Sequence, residues 1–377
     1  MEILVFTYGD SLDISTWSNV PFLFTKTLEE KGHTIHRVDI SPNKTLEHLY
    51  NTLSFYIFKR ILKRKTSCPI FIMTKMHRIL AYRKIKKATK RYPNIHLSLF
   101  LTYHFYNKYS NKPSILWHDW SNRAYIERTN RKPYAHEIKA LKSEDLAIKK
   151  ACRVYTMFPS YKELMETLHM RKFIYLNRNV VNTVYDKNFD IQKNISAREK
   201  SNIILFIGNL HYMEAAKELT AAFMKLKEED DKLELHLIGI SDEQFPTAHD
   251  GIHCHGYLRK NIKKERDLYY KLLTSCKVFV NPAKKWGGYS SSIEAMYYGC
   301  PLIISPYDDF VKEFGEEIDF GVYFKEGSLI ECIKRVIYSD KTSYIKLCNN
   351  SHKRVADYSW SNYVNDFLES LTDLNIE

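Results

Sequence analysis

Apolar residues fall along this chain in short blocks whose spacing alternates between that of a buried strand and that of an amphipathic helix. Ile3 to Tyr8 reads as a buried strand, Pro21 to Lys31 as a helix stopped by Gly32, and Thr34 to Val38 as a second strand. Together they make a βαβ opening. Leu46 to Lys65 is amphipathic, Pro69 to Met73 is strand-like, and Met76 to Tyr92 reads as a basic helix. Strands are expected at Leu97 to Tyr103 and at Ser114 to His118, leading to His104 and His118. A helix from about Glu137 to Ala151, a strand at Arg153 to Tyr155, a helix from Ser160 and a strand at Phe173 to Leu176 complete the first half. Ile191 to Ser201 is polar and aperiodic, which marks a linker. The alternation restarts with Ile203 to Ile207, the helix Ala215 to Lys227, the strand Leu233 to Ile238, a short strand before His255, and the helix Glu265 to Ser275. Two α/β domains with mostly parallel sheets follow, 1–190 and 200–358. In such sheets ligands bind at the carboxyl ends of the strands, so the expected site is a cleft between the domains.

With 377 residues, 44% of them apolar, both domains can bury real cores. The seven cysteines are scattered and show no metal-ligand spacing, which predicts reduced thiols in a cytosolic setting. No signal peptide or membrane span is read from the sequence. Charge is divided unevenly. Residues 1–190 hold 33 Lys and Arg against 16 Asp and Glu, a net of +17, whereas residues 191–377 hold 24 against 28, a net of −4. From His48 to His118 there are fifteen basic residues and no acidic one. Such a patch attracts phosphate-rich surfaces: nucleic acid, an anionic membrane, or a pyrophosphate-linked acceptor.

The most informative segment runs from Asn281 to Pro301. The strand Val278 to Val280 enters a turn with Gly287 and Gly288, and Ser290, Ser291 and Ser292 then read as the cap of a helix from Ile293 to Tyr298. Gly299 and Pro301 stop it before the strand Leu302 to Ile304. Free amides at a helix start, beside the positive end of its dipole, suit a phosphate. Glu294 lies within reach of the sugar hydroxyls of whatever carries that phosphate. The plainer alternative is an ordinary strand-loop-helix unit in which a serine caps and Glu294 offsets the dipole.

In order and spacing, residues 200–370 resemble glycosyltransferases of the GT-B fold, most nearly the retaining family 4. The landmarks are Phe206-Ile207-Gly208-Asn209-Leu210, Ala221-Ala222-Phe223, Leu235-His236-Leu237-Ile238-Gly239, His255-Gly256-Tyr257, Val278-Phe279-Val280-Asn281-Pro282, Glu294-Ala295-Met296 with Gly299-Cys300-Pro301, and Tyr358-Ser359-Trp360. Leu116-Trp117-His118-Asp119 and Asn179-Val180-Val181-Asn182 match more loosely. The resemblance implies two Rossmann-like domains facing a cleft, with a C-terminal helix, about 360–377, crossing back to the first. It implies transfer of a hexose or related sugar from a nucleotide-diphosphate sugar such as a UDP-sugar to a glycan or lipid-linked acceptor, as in polysaccharide biosynthesis. No metal or other cofactor is expected.

The donor would be held by Gly208, Asn209, Trp286, Gly288, Tyr289, Ser290, Ser291, Ser292 and Glu294. Catalysis would fall to His118, Lys284 and Lys285. Gly9, Asp10 and His104 are further candidates for contact with acceptor or diphosphate.

Departures accompany these matches. The positions usually held by an Arg and a Lys that neutralise the diphosphate carry Asn209 and Glu214, and Trp286 replaces the first of two glutamates eight apart. Lys284 and Lys285 are the candidates to supply the missing charge, ahead of Lys217. Trp286 stacks on a sugar or packs, and His118 serves the reaction or is a structural histidine; the residues leave both open. The stretch Phe55 to Arg64 lies on an anionic membrane or is a half-buried helix with a basic edge. A cytoplasmic protein, peripheral on the inner face of the membrane, is the expected setting. The competing readings are a catalytically impaired homologue, a nucleotide-sugar epimerase of the same fold, and a nucleic-acid-binding protein, for which no recognised motif appears.

Overall fold

A computed structural model describes residues 1–64, 68–176, 179–184, 190–245, 249–284, 289–325, 327 and 329–374. The chain divides into two units, Met1–Asn179 with Tyr363–Glu377, and Val180–Asn362.

In the first unit the order is β1 (Glu2–Thr7), α1 (Val20–Glu30), β2 (Thr34–Asp39), α2 (Lys44–Phe55), α3 (Lys75–Arg91), β3 (Leu97–Phe100), β4 (Ser114–His118), α4 (Asn122–Arg128), α5 (Ala135–Lys150), β5 (Arg153–Thr156) and α6 (Pro159–His169). A π-helical turn, Tyr56–Ile61, extends α2. The five strands are parallel in the order β2-β1-β3-β4-β5. Ile3, Leu4, Val5 and Phe6 are wholly buried, as both faces of a parallel sheet require. The strand order reverses between β1 and β3, which places this unit's crevice beyond their carboxyl ends.

Three expectations change here. Pro69 to Met73 is no strand: Phe71 N–H donates to Asn51 Oδ1 (2.8 Å) and Ser54 Oγ donates to the Pro69 carbonyl (2.7 Å), which ties the segment to α2. The strand at Phe173 to Leu176 shrinks to one bridge between Ile174 and Tyr155, because the Phe173 amide is taken by Glu166 Oε1 (2.8 Å). β3 stops at Phe100, so His104 stands in a loop four residues beyond it. The Tyr103 hydroxyl there shares its proton between the carbonyls of His118 (2.9 Å) and Tyr155 (2.5 Å).

The second unit continues with α7 (Ile191–Glu199), β6 (Ile203–Ile207), α8 (Met213–Glu229), β7 (Glu234–Ile238), β8 (Ile252–Cys254), α9 (Lys263–Ser275), β9 (Val278–Asn281), α10 (Tyr289–Tyr297), β10 (Leu302–Ile304), α11 (Asp308–Phe314), β11 (Gly321–Tyr323), α12 (Leu329–Ile337), α13 (Lys341–Val355) and α14 (Trp360–Glu369). Its six strands are parallel in the order β11-β10-β9-β6-β7-β8. Counted within the unit this is 6-5-4-1-2-3, the Rossmann order, with its reversal between β6 and β9. The core lies where Phe206, Leu235, Leu237, Val280 and Ile303 meet the apolar stripes of α8 and α12.

The expected linker is helix α7. Asp190 caps it, accepting from the amides of Gln192 (2.9 Å) and Lys193 (3.3 Å). Its polar composition conceals two buried anchors, Ile195 and Arg198. The Arg198 guanidinium donates to carbonyls at helix ends, those of Leu273, Cys276 (2.5 Å) and Tyr298 (3.2 Å), where a cation also meets the negative ends of α9 and α10.

From Tyr363 on, α14 belongs to the first unit, as the resemblance implies for the last helix. Trp117 Nε1–H donates to the Tyr363 hydroxyl (2.6 Å), and Phe367 meets Phe24 and Tyr155 edge-on, each with ring centroids 5.2 Å apart. Ser370 Oγ lies 2.7 Å from the Tyr155 hydroxyl, and Asp373 pairs with Arg153.

Candidate functional site

The Rossmann order brings Gly208, just after β6, beside the segment that follows β9, at the point where α/β sheets of this order bind nucleotides. Gly208 N–H still donates to Ile238 O (2.9 Å). A Cβ on Gly208 would stand 2.8 Å from the Phe206 ring, so the backbone is bare by necessity. Gly239, at φ +96°, closes in from β7, and a Cβ there would lie 2.4 Å from Gly208 O. Asn209 turns its Oδ1 back to the His211 amide (2.9 Å) and caps the short turn Leu210–Tyr212. Glu214 is exposed and pairs with Lys217 (2.9 Å), so that cation already faces a carboxylate.

After β9, the buried Asn281 side chain accepts from the Ala283 amide (3.1 Å), and Ser305 Oγ donates to Pro282 O (2.7 Å). Lys284 is exposed. The calls on Lys285, Trp286 and Gly288 lie outside the described residues, as does Gly287.

α10 starts at Tyr289, four residues earlier than the sequence reading. Ser290, Ser291 and Ser292 therefore occupy its first turn instead of capping it. They still stand at the positive end of the helix dipole, so the anion-binding logic carries over to the first turn. Ser292 is buried while Ser290 and Ser291 are half-buried. Tyr289 turns its ring against Phe310 (centroids 6.1 Å) and Phe314 (6.2 Å).

Glu294 has company the sequence did not disclose. Lys260 Nζ donates to both carboxylate oxygens at 3.0 Å, and the Tyr269 hydroxyl donates to Oε2 at 2.8 Å. Glu294 is buried and Lys260 half-buried, with side chains 5% and 14% exposed. The Lys260 ammonium also lies 4.4 Å from the Tyr269 ring centroid. Burial, and then the Glu294 charge, push the Tyr269 hydroxyl well above the usual phenol range, so it stays a donor. Of the two oxygens, Oε1 takes one of these bonds and keeps acceptor capacity for a sugar hydroxyl. Behind it, Asn182 Oδ1 accepts from Trp360 Nε1 (3.1 Å) and Val181 N–H donates to Tyr358 O (2.8 Å), joining two of the sequence landmarks.

The first unit carries a cavity of about 270 Å³ past the ends of β3 and β4, lined by residues that include His104, His118, Trp120, Asn122, Tyr125 and Glu144. Glu144 is buried and accepts from the amides of Asn122 (3.0 Å) and Arg123 (3.2 Å) and from Asn122 Nδ2 (3.1 Å), capping α4 from outside. His104 Nε2 lies 2.6 Å from Asn122 Nδ2 and 3.3 Å from Glu144. On its other side, the Tyr8 hydroxyl stands 3.2 Å from both His104 Nδ1 and His77 Nε2. Burial, then the neighbouring His104, hold the His77 imidazole down at about 4.

His118, 28% exposed, pairs with Asp119 and stacks on Trp17 at 4.5 Å and 17°. Burial opposes its protonation, but the Asp119 carboxylate outweighs that and leaves its pKa raised. Trp17 is delivered by three successive left-handed residues, Trp17, Ser18 and Asn19 (φ 40°, 54° and 70°), a strained run of the kind found at working sites. Gly9, at φ +95°, donates its N–H to Asp39 Oδ1 (3.0 Å), and Asp10 is exposed and caps its own turn through the Leu12 amide (2.8 Å). Neither Gly9 nor Asp10 lines the His104–His118 cavity.

Residues 187–353 match the pattern of the family described as Glycosyl transferases group 1. No curated protein matches the chain in sequence. In fold the chain is similar to sucrose-phosphate synthase from Thermosynechococcus elongatus, with a TM-score of 0.67, 14% identity and 100% of each chain covered. It is similar to WaaG, a glycosyltransferase involved in lipopolysaccharide biosynthesis, at 0.64 and 11% identity, over 97% of this chain and 99% of that one. A point mutant of S. aureus TarM in complex with fondaparinux, alpha-GlcNAc-glycerol and UDP aligns at a TM-score of 0.56 and 12% identity, over 78% of this chain and 59% of that one. The fold is thus that of the GT-B glycosyltransferases. Its second unit carries the group 1 glycosyltransferase pattern.

Proposed function

We propose that the protein transfers a hexose or related sugar from a nucleotide-diphosphate sugar, such as a UDP-sugar, to a glycan or lipid-linked acceptor, with retention of configuration. The observation that carries this reading is the convergence of bare Gly208 and the first turn of α10 at the β6/β9 reversal. In glycosyl transfer the sugar becomes oxocarbenium-like as negative charge collects on the departing diphosphate. Preorganised donors aimed at that charge are the main catalytic requirement. The first turn of α10, with Ser290, Ser291 and Ser292 at the positive end of its dipole, supplies that stabilisation, Lys284 and Lys285 add positive charge, and Glu294, held by Lys260 and Tyr269, takes the ribose. His118, its pKa raised by Asp119 against burial, meets the transferred sugar or the acceptor hydroxyl, and the leaving phosphate accepts the acceptor's proton. No metal takes part in this scheme. A nucleotide-sugar panel tests it: stabilisation by one UDP-sugar and its turnover with acceptor support the reading, while stabilisation by none of the panel refutes it.

The acceptor side favours a membrane. Leu49, Leu53, Phe55, Tyr56, Ile61 and Leu62 are exposed on α2 and its π-helical turn, beside exposed Arg60, Lys63 and Arg64. Apolar side chains flanked by cations suit an anionic bilayer surface, from which a lipid-linked acceptor would be drawn. No described helix is long and apolar enough to cross a membrane. Flotation with anionic and with neutral vesicles tests the contact; equal behaviour with both refutes it.

A second reading, a catalytically impaired homologue, rests on Asn209 and on the Glu214–Lys217 pair at the places where a diphosphate clamp is usual. Specific nucleotide binding without turnover of any donor would favour it.

A further inference from the structure

Among the described residues, one group of side chains has the composition and spacing to hold a metal ion, and it lies apart from the β6/β9 crevice. β7 and β8 pair in parallel with His236 opposite His253, and β8 is the edge strand of the second sheet. Side chains two apart on a strand share a face, so Glu234 stands beside His236 and His255 beside His253. The neighbouring Leu235 and Leu237 point the other way, into the core.

We propose that Glu234, His236 and His253 form a site for a divalent transition-metal ion of the Zn²⁺ class. One ligand atom from each lies within 4.8 Å of the others. Glu234 Oε2 and His236 Nε2 are already 3.3 Å apart. Donors each about 2.0–2.1 Å from a tetrahedral zinc ion are separated by roughly 3.3 Å, so this edge of the polyhedron is preformed. His253 is the exposed member and the one that needs to move in. With Nε2 of His236 on the metal, its Nδ1 faces His255 Nε2 at 2.9 Å. That is the outer hydrogen bond that a metal-bound imidazole characteristically makes, and it fixes the ring's orientation. Two imidazoles and one carboxylate select Zn²⁺, Ni²⁺ or Cu²⁺ over Mg²⁺ or Ca²⁺, and leave a coordination position for water.

The site would act as a clamp. β8 has only three residues, and the turn after it holds Gly239 in place through Gly239 N–H to Gly256 O (2.7 Å) and Gly256 N–H to Ile240 O (2.8 Å). Gly239 is the residue that crowds Gly208. An ion that pins β8 to β7 therefore stiffens the wall behind the candidate diphosphate site without touching substrate.

The test is Co²⁺ titration of the chelator-stripped full chain, read by visible absorption, with Zn²⁺ competition and a thermal scan. One equivalent should bind, without the near-ultraviolet band of thiolate ligation, and Zn²⁺ should displace it. Metal at a hundredfold excess over its Kd should raise the melting temperature by roughly 5–10 °C. His253→Ala, at an exposed position, should weaken binding at least tenfold while leaving the metal-free melting temperature unchanged, and His236→Ala should do the same to binding. Absence of saturable one-equivalent binding overturns the proposal. So does binding that carries a thiolate band or persists unchanged in His253→Ala, since either puts the ion elsewhere.

Discussion

Replacing Lys260 by methionine removes the only cation bonded to the buried Glu294 carboxylate among the described residues, and keeps most of the side chain's volume. Two bonds of 3.0 Å disappear, and the Tyr269 hydroxyl at 2.8 Å remains as a neutral donor. With the two side chains 14% and 5% exposed, solvent cannot rescue the stranded charge. Breaking a buried pair from one side costs about 3–5 kcal/mol. A unit the size of Val180–Asn362 converts that to a fall in melting temperature of roughly 6–20 °C. The decisive variant is the double one. Lys260→Met with Glu294→Gln leaves an amide that still accepts from Tyr269 and carries no charge, so most of the lost stability should return. Nucleotide-sugar binding should nevertheless stay weak in the double variant, because the ribose has lost its carboxylate. Scanning calorimetry of wild type, both single variants and the double variant, with and without nucleotide, gives the full cycle. A double variant as unstable as Lys260→Met refutes the stranded-charge argument, and unimpaired nucleotide binding in Glu294→Gln refutes the assignment of Glu294 to the donor.

Asp119→Asn should lower the His118 titration midpoint, measured by NMR, because burial is then opposed only by the Trp120 carbonyl and the Glu144 charge. A histidine raised on folding stabilises the protein fully below about pH 6.5 and loses that contribution as pH rises through its folded pKa. The stability gap between wild type and variant should therefore be widest in mild acid and close toward alkaline pH, as followed by urea denaturation at several pH values. Tyr363→Phe removes the acceptor of the buried Trp117 indole N–H and should cost about 1–3 kcal/mol by denaturant titration. Gly239→Ala meets an unfavourable φ of +96° and a contact of 2.4 Å with Gly208 O. The backbone conformation alone is worth about 1–3 kcal/mol, and nucleotide affinity by calorimetry should fall with it as Gly208 is displaced.

Strands with wholly buried centres announce themselves, and Ile3 to Phe6, Ile203 to Ile207 (buried at Ile204 to Phe206) and Val278 to Val280 all stand out as unbroken apolar runs. Short helices with few anchors did not. α4 buries only Ala124 and Ile126, and α7 only Ile195 and Arg198, so neither shows a period. At the candidate site Gly208 and the serines were visible as local signals, since a bare strand end and small residues at a helix start are sequence features. Lys260 was not, because a salt bridge across 34 residues has no spacing rule, although a glutamate expected to be buried demands a partner. The His236–His253 juxtaposition needs the β7–β8 register, which only the structure supplies. Nor could Trp17 be placed over His118 from sequence, as a left-handed run without glycine has no compositional signal.

The return of α14 to the first unit sets a timetable for synthesis. Val180–Asn362 is one uninterrupted stretch, whereas the other unit is made of the first 179 residues and the last fifteen. At about 5–20 residues per second, some 10–40 s pass between emergence of the two parts. Throughout that interval Phe24, Trp117 and Tyr155 lack the Tyr363 and Phe367 rings that cover them in the finished protein. The unit begun first is thus the one completed last, and a ribosome that stalls anywhere before Tyr363 releases a chain with an open aromatic seam, a natural target for chaperones and proteases.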